Sequence, residues 1–218
     1  MPCSTSLKRK FGDISTVALL VGKKKTAFHV HVDLLCESSS FFKAAFTSPW
    51  KENTERKMKL ADDDAATFEL FVQWLYTQQY EITTEKKQGI ARMLEPVRLY
   101  VLAEKYDIVK LKNKICRKLY EGRTVHGFGP CKNTVECAYD NLPRSSPMRR
   151  MLVDWYTWHV TCRWFEHEEN QKWLPRVPEF AADLAVALSK KSWSSTGESP
   201  LELGVANYYE EERKSRVR

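Results

Sequence analysis

No apolar run in this chain approaches the roughly 20 residues needed to span a bilayer. Nor does an apolar block of signal-peptide length follow the basic N-terminal stretch MPCSTSLKRKFGD. These two absences predict a soluble, intracellular protein with no membrane partner. Paired cysteines are missing too. Cys3, Cys36, Cys116, Cys131, Cys137 and Cys162 are scattered, none of them in a C-x-x-C, and without a secretory signal they read as reduced thiols. Catalytic signatures are equally scarce. Serines are plentiful but no G-x-S-x-G elbow occurs. Gly127-Phe128-Gly129 lacks the third glycine and the preceding strand of a phosphate-binding fingerprint. No zinc-finger spacing, other recognised DNA-binding motif or internal repeat is found.

Scattered residues that resemble parts of a site each have a simpler reading. Cys36 follows His31 closely, but it lies on a short apolar helix and reads as core packing. His126, Cys131 and Cys137 cluster loosely, and His159 with Cys162 falls on one helix face. Neither group has the second tight pair of a structural zinc site. The triplet Asp62, Asp63, Asp64 lacks the spaced ligands and glycine of a calcium loop; in front of an apolar-periodic segment it reads as a helix N-terminal signal. The expectation is therefore no enzyme, no cofactor, no metal and no small-molecule substrate.

What the chain does contain is enough apolar material for a core. Its 218 residues suit one larger or two small domains. A hydrophobic fraction of 43% and an aromatic fraction of 12%, seven Trp among them, argue against disorder. The net charge of +7 gathers at Lys8–Lys10, Lys23–Lys25, Lys110–Lys118 and Arg213–Arg218. Interleaved acidic residues make solvated surface and charged tails the simpler reading of these clusters. Basic and aromatic residues also alternate from Trp155 to Trp164, with a period that fits a buried helix better than a base-stacking groove.

The organising stretch runs from Val17 to Phe46. Val17, Leu19, Leu20 and Val21 form one apolar run, and Gly22 with three lysines interrupts it. Phe28, Val30 and Val32 then alternate with His29 and His31, so Thr16 to Val32 reads as a β-hairpin. The period next lengthens through Leu34, Leu35, Phe41, Phe42, Ala45 and Phe46, giving two short helices, one from about Asp33 and one capped near Ser39. Lys57 to Leu60 alternates as a half-buried strand. Phe68, Phe71, Val72 and Leu75 share a helix face, and Tyr80 to Thr83 suits a short strand. Pro96 is expected in the first turn of a helix carrying Leu99, Leu102, Ala103 and Tyr106; Ile108, Leu111, Ile115 and Leu119 give the return helix.

The pattern Phe28-x-Val30-His31-x-x-Leu34-Leu35, followed by Ser38, Phe41 and Phe42, resembles the start of a BTB/POZ domain. The likeness continues through LADDDAATFELFVQWLYT and LYVLAEKYDIVKLKNKI and covers about half the chain. The whole is similar to short fungal-type BTB proteins that carry no catalytic domain. The resemblance implies an α+β BTB/POZ fold, a small sheet flanked by helices, followed by an all-α extension. The expected organisation is a flexible basic arm over 1–13, a BTB/POZ domain over 14–121, a linker loop over 122–133, a helical extension over 134–191, and a linker with charged tail over 192–218.

The resemblance also implies protein–protein association, often as homodimers through the N-terminal strand and first helix pair. Val17, Leu19, Val21, Phe28, Phe41 and Phe42 are the candidate interface; His31, Asp62, Asp63 and Asp64 are expected to be structural. Many BTB domains pair an Asp at the start of the first strand with a basic residue after the His. Thr16 and Val32 occupy those positions here. Losing both together is physically coherent, since one buried charge alone is costly. The reading is a non-enzymatic protein-binding protein that self-associates, as the resemblance implies. The alternatives are a substrate adaptor of a cullin-type ubiquitin ligase and a nuclear regulator touching nucleic acid through its basic segments, with direct nucleic-acid contact disfavoured.

Overall fold

The computed structural model describes residues 15–47, 56–81, 91–126, 130–193 and 199–211. The chain divides into two compact units, Met1–Ala65 and Ala66–Arg218.

The first unit is built on the expected hairpin. Strands β1 (Thr16–Val21) and β2 (Thr26–His31) pair antiparallel with Val17 opposite Val30 and Leu19 opposite Phe28. Strand β3 (Lys57–Leu60) lies parallel on the other side of β1, giving the order β2-β1-β3. The alternation read in the sequence is the pleat itself: Val17, Leu19 and Val21 are buried, as are Met58 and Leu60. Gly22 closes β1 at φ 71° and donates its N–H to the Leu60 carbonyl at 2.9 Å. A Cβ there would meet the Asp63 carbonyl oxygen at 3.1 Å, so both backbone conformation and space select glycine. Helices α1 (Val32–Ser38) and α2 (Ser40–Thr47) follow. The Ser39 hydroxyl accepts the Phe42 N–H at 3.1 Å, the helix-capping bond expected there. Leu35, Phe42 and Phe46 are the buried members of this pair.

The second unit is helical. Helix α3 (Ala65–Thr77) buries Phe68, Phe71, Trp74 and Leu75. Tyr80 and Glu81 are not in a strand, contrary to the sequence reading, and the rest of that segment lies outside the described residues. Helix α4 (Ala91–Lys105) starts five residues before Pro96, so the proline stands inside it and not in its first turn. The turn into α5 (Val109–His126) is a Schellman-type closure on a left-handed Asp107, φ 52°, with Asp107 donating to the Glu104 carbonyl and Ile108 to that of Ala103.

Helix α5 also corrects the expected linker. Residues 121–126 are helical and 132 onward is helical again; 127–129 lie outside the described residues. A glycine in a helix interior costs only about 1 kcal/mol, so Gly122 is too weak a breaker to end an 18-residue helix. Beyond it come α6 (Lys132–Asn141), α7 (Pro147–His159), α8 (Cys162–Glu166), α9 (Glu168–Trp173) and α10 (Pro178–Trp193). Ser146 caps α7 by accepting the Met148 N–H, and Pro147 sits in its first turn. Helix α7 ends at Val160 and Thr161. Both β-branched residues are extended, and the break places His159 and Cys162 on different helices rather than one face.

Tyr139, Tyr156, Trp164, Trp173 and Phe180 pack edge to face or tilted, with ring centroids 5.1–6.0 Å apart. Of the Trp155–Trp164 stretch, Tyr156 and Trp164 belong to this aromatic centre. Residues 199–211 of the expected linker and charged tail are packed against the helices, while 212–218 lie outside the described residues. Leu201 is buried, and a 3-10 turn at Val205–Tyr208 buries Tyr208 to 2% exposure.

Candidate interaction surfaces

The six apolar residues read as an interface divide sharply by burial. Val17, Leu19 and Val21 are 1%, 0% and 0% exposed and Phe42 is 0%, so these four face the interior of this chain. Strand β1 is also hydrogen-bonded on both sides, which leaves it no edge to offer a partner. Phe28, on the outer strand β2, is half-buried, and Phe41 on α2 is 43% exposed. Phe41 meets the ring of buried Phe42 edge-on at 5.3 Å, which holds it in place while its outer face stays accessible.

The two charge-pocket positions are neutral and differently placed. Thr16 is exposed, whereas Val32 is buried and donates its N–H to the Ser15 carbonyl at 3.0 Å. His31 is half-buried immediately before α1. Asp62 and Asp64 are exposed and Asp63 half-buried; Asp63 donates its N–H to the Leu60 carbonyl at 3.3 Å, within the turn that leads to α3.

The second unit holds a polar centre that sequence reading missed. Lys112 is 3% exposed, and its Nζ donates to Glu104 Oε2 at 2.8 Å and to Glu210 Oε2. Tyr100 donates its hydroxyl to Glu210 Oε1 at 3.0 Å. Asn113 takes the Glu210 backbone from both sides, donating Nδ2–H to its carbonyl at 3.0 Å and accepting its N–H at 2.9 Å. Arg117 Nε donates to the Tyr209 hydroxyl at 2.8 Å, and the Tyr208 hydroxyl donates to Asp154 Oδ2 at 2.7 Å. Burial alone would lower the Lys112 pKa, but its bonds to Glu104 and Glu210 outweigh burial and hold it above the ordinary lysine value. Burial, with the nearby Cys116 and Glu210, pushes the Tyr100 hydroxyl up.

The signal for this centre was present. Lys112 stands four residues from both Ile108 and Cys116, in the middle of a buried helical row, where an unpaired lysine is not expected. Its partner Glu210 is 98 residues away, a separation that periodicity cannot bridge.

Among the described residues, no group of His, Cys, Asp and Glu is arranged to hold a metal. No described helix is long and apolar enough to cross a membrane.

The BTB/POZ domain family model matches residues 6–123, more than half of the chain and across both the hairpin and the α4–α5 pair. The chain belongs to the BTB/POZ family. A three-stranded sheet and many helices are the α+β content of a BTB fold with a helical extension. Human and mouse proteins named Kelch-like protein 23 are each 38% identical to it over 63 residues. That stretch is 29% of this chain and 11% of those relatives, so the chain spans about a tenth of their length. A BTB/POZ domain is a protein-interaction fold, and that is the role this membership supports.

Proposed function

We propose that this BTB/POZ protein is non-enzymatic, works in the cytoplasm or nucleus, and associates with a second copy of itself through the α1–α2 face. The observation that carries the reading is the 43% exposure of Phe41 beside buried Phe42 and Phe46, within a family whose fold serves protein association. An exposed large aromatic seated on a rigid apolar base is the kind of group that anchors an interface. Phe28 is half-buried on an outer strand with no further strand beside it among the described residues, and it is a second candidate contact. Light scattering at micromolar concentration tests it. A mass of twice 25.4 kDa supports self-association, and 25.4 kDa unchanged on concentration overturns it.

The second reading is a substrate adaptor of a cullin-type ubiquitin ligase, as the family resemblance implies for some members. It is favoured by the helices α6 to α10, which lie beyond the matched region and add surface that a substrate could use. Retention of a cullin by the tagged full-length chain tests it; no retention removes the adaptor role and leaves self-association standing.

A further inference from the structure

The helices beyond the family match enclose a depression of about 480 Å³ between α7 and α10, with Arg144 and Pro200 completing its lining. Its size is that of a pocket for one or two side chains. Five lining residues are cationic: Arg144, Arg149, Arg150, Lys190 and Lys191. Two are acidic, Asp154 and Asp183, and each already accepts a hydroxyl hydrogen, from Tyr208 at 2.7 Å and from Tyr139 at 3.0 Å. Apolar surface lies between the charges, from Val153, Ala187 and Val186, the last of which is 56% exposed.

The cations differ in how they are held. Arg149 is 6% exposed; its two terminal nitrogens donate to Glu179 and to the Tyr139 carbonyl, while its buried Nε has no hydrogen-bond partner. Lys191 donates to the Thr157 carbonyl at 2.9 Å and lies 4.6 Å from the centre of the Trp158 ring. Arg150 reaches the Asn207 carbonyl at 3.4 Å. Arg144 and Lys190 are exposed and have no hydrogen bond or ion pair among the described residues. Arg149 is paired with Glu179, so the positive charge left without a partner among the described residues is that of the exposed Arg144 and Lys190. Like charges gathered this closely repel one another, and an anionic partner relieves that repulsion.

We propose that this depression binds an acidic peptide segment of a partner protein, with carboxylates meeting Arg144, Lys190 and Arg150 and one apolar side chain seated on Val186 and Val153. Lys191 lies over Trp158, so that ring is no open platform for a base. Nucleic acid is therefore the poorer fit. The site rests on the reading of the chain as an interaction protein and supplies a partner class for its helical extension.

The test titrates the full chain into a fluorescein-labelled ten-residue peptide of glutamates and aspartates around two central leucines, read by polarisation. Saturable binding that weakens as salt is raised is expected. Arg144→Glu with Lys190→Glu should lower the affinity tenfold or more, whereas Lys23→Glu with Lys24→Glu, on the exposed hairpin turn, should leave it unchanged. Absence of saturable binding overturns the proposal. So does equal binding of the glutamine and asparagine version of the peptide, an equal loss in the hairpin variant, or a single-stranded oligonucleotide that binds more tightly through the same pair. Light scattering and cullin retention of the Arg144→Glu, Lys190→Glu variant are expected to match the unaltered chain. Loss at this site is thereby distinguished from failure of BTB-mediated association.

Discussion

Cys116 and Cys162 differ sharply in their access to solvent. Cys116 is 0% exposed, and burial, reinforced by Glu210 and opposed by Lys112, pushes its thiol up to about 12. Cys162 is exposed at the start of α8. Thiolate is the reactive form, so brief alkylation near neutral pH should label Cys162 and leave Cys116 untouched until the protein is unfolded; mass spectrometry of the peptides reads the order. The raised Cys116 value also has a sign. The unfolded thiol ionises at its ordinary value and the folded one does not, so stability is lost as pH rises from about 9 towards 12.

Lys112 belongs to the same scale. Lys112→Met leaves Glu104 and Glu210 facing each other without their cation. Breaking a buried pair costs about 3–5 kcal/mol, and the lower end is expected because both carboxylate side chains keep about a quarter of their exposure. Urea denaturation measures the difference. Since the Lys112 pKa is raised, its contribution is fully present below the ordinary lysine value and is lost only as pH rises through the higher folded one. The gap between the two proteins should therefore stay level from roughly pH 6 to 9.

Among the elements, the hairpin, α1, α2 and β3 were legible because their apolar period is short and local. The spacing of two through Phe28, Val30 and Val32 gives way to the longer period of Leu34, Leu35, Phe41, Phe42, Ala45 and Phe46, and this marks the passage from strand to helix directly. The ends of the long helices were not legible, since breakers act only when their cost exceeds what the helix gains by continuing. Gly122 shows this. It lies within α5 at a backbone conformation ordinary for any residue, and an added Cβ would meet nothing within 4 Å. Gly122→Ala should therefore stabilise the protein by about 0.4–1 kcal/mol, largely through the unfolded chain, raising the urea midpoint with an unchanged slope. A loss of stability would mean that the α5 terminus is not helical in solution. The docked segment ending at Glu210 was illegible for a different reason: the bonds that hold it to Lys112, Asn113 and Tyr100 span about 100 residues of sequence.

At the scale of the whole molecule, the sequence carried the family but not the division of its apolar residues between core and surface. Alternation says that Val17, Leu19 and Val21 share a face; it does not say that β3 closes the far side of β1. That pairing decides how self-association must be tested. An Asp in the Val17–Val21 strand would bury a carboxylate at a position 0–1% exposed and should unfold the first unit rather than release a monomer. Phe41→Asp is the informative change. Its side chain is 43% exposed, so the charge stays in water and the fold should survive with little loss of stability. If the α1–α2 face is the contact in a C2 dimer, two copies of Asp at that position meet across the axis and repel. Light scattering should then give 25.4 kDa for the variant and twice that for the unaltered chain, with unchanged circular dichroism. A variant that folds and keeps the doubled mass would move the contact away from Phe41. The outer edge of β2, with Phe28, would then be the surface to change next, because β1 has neither an open edge nor an exposed apolar residue to offer.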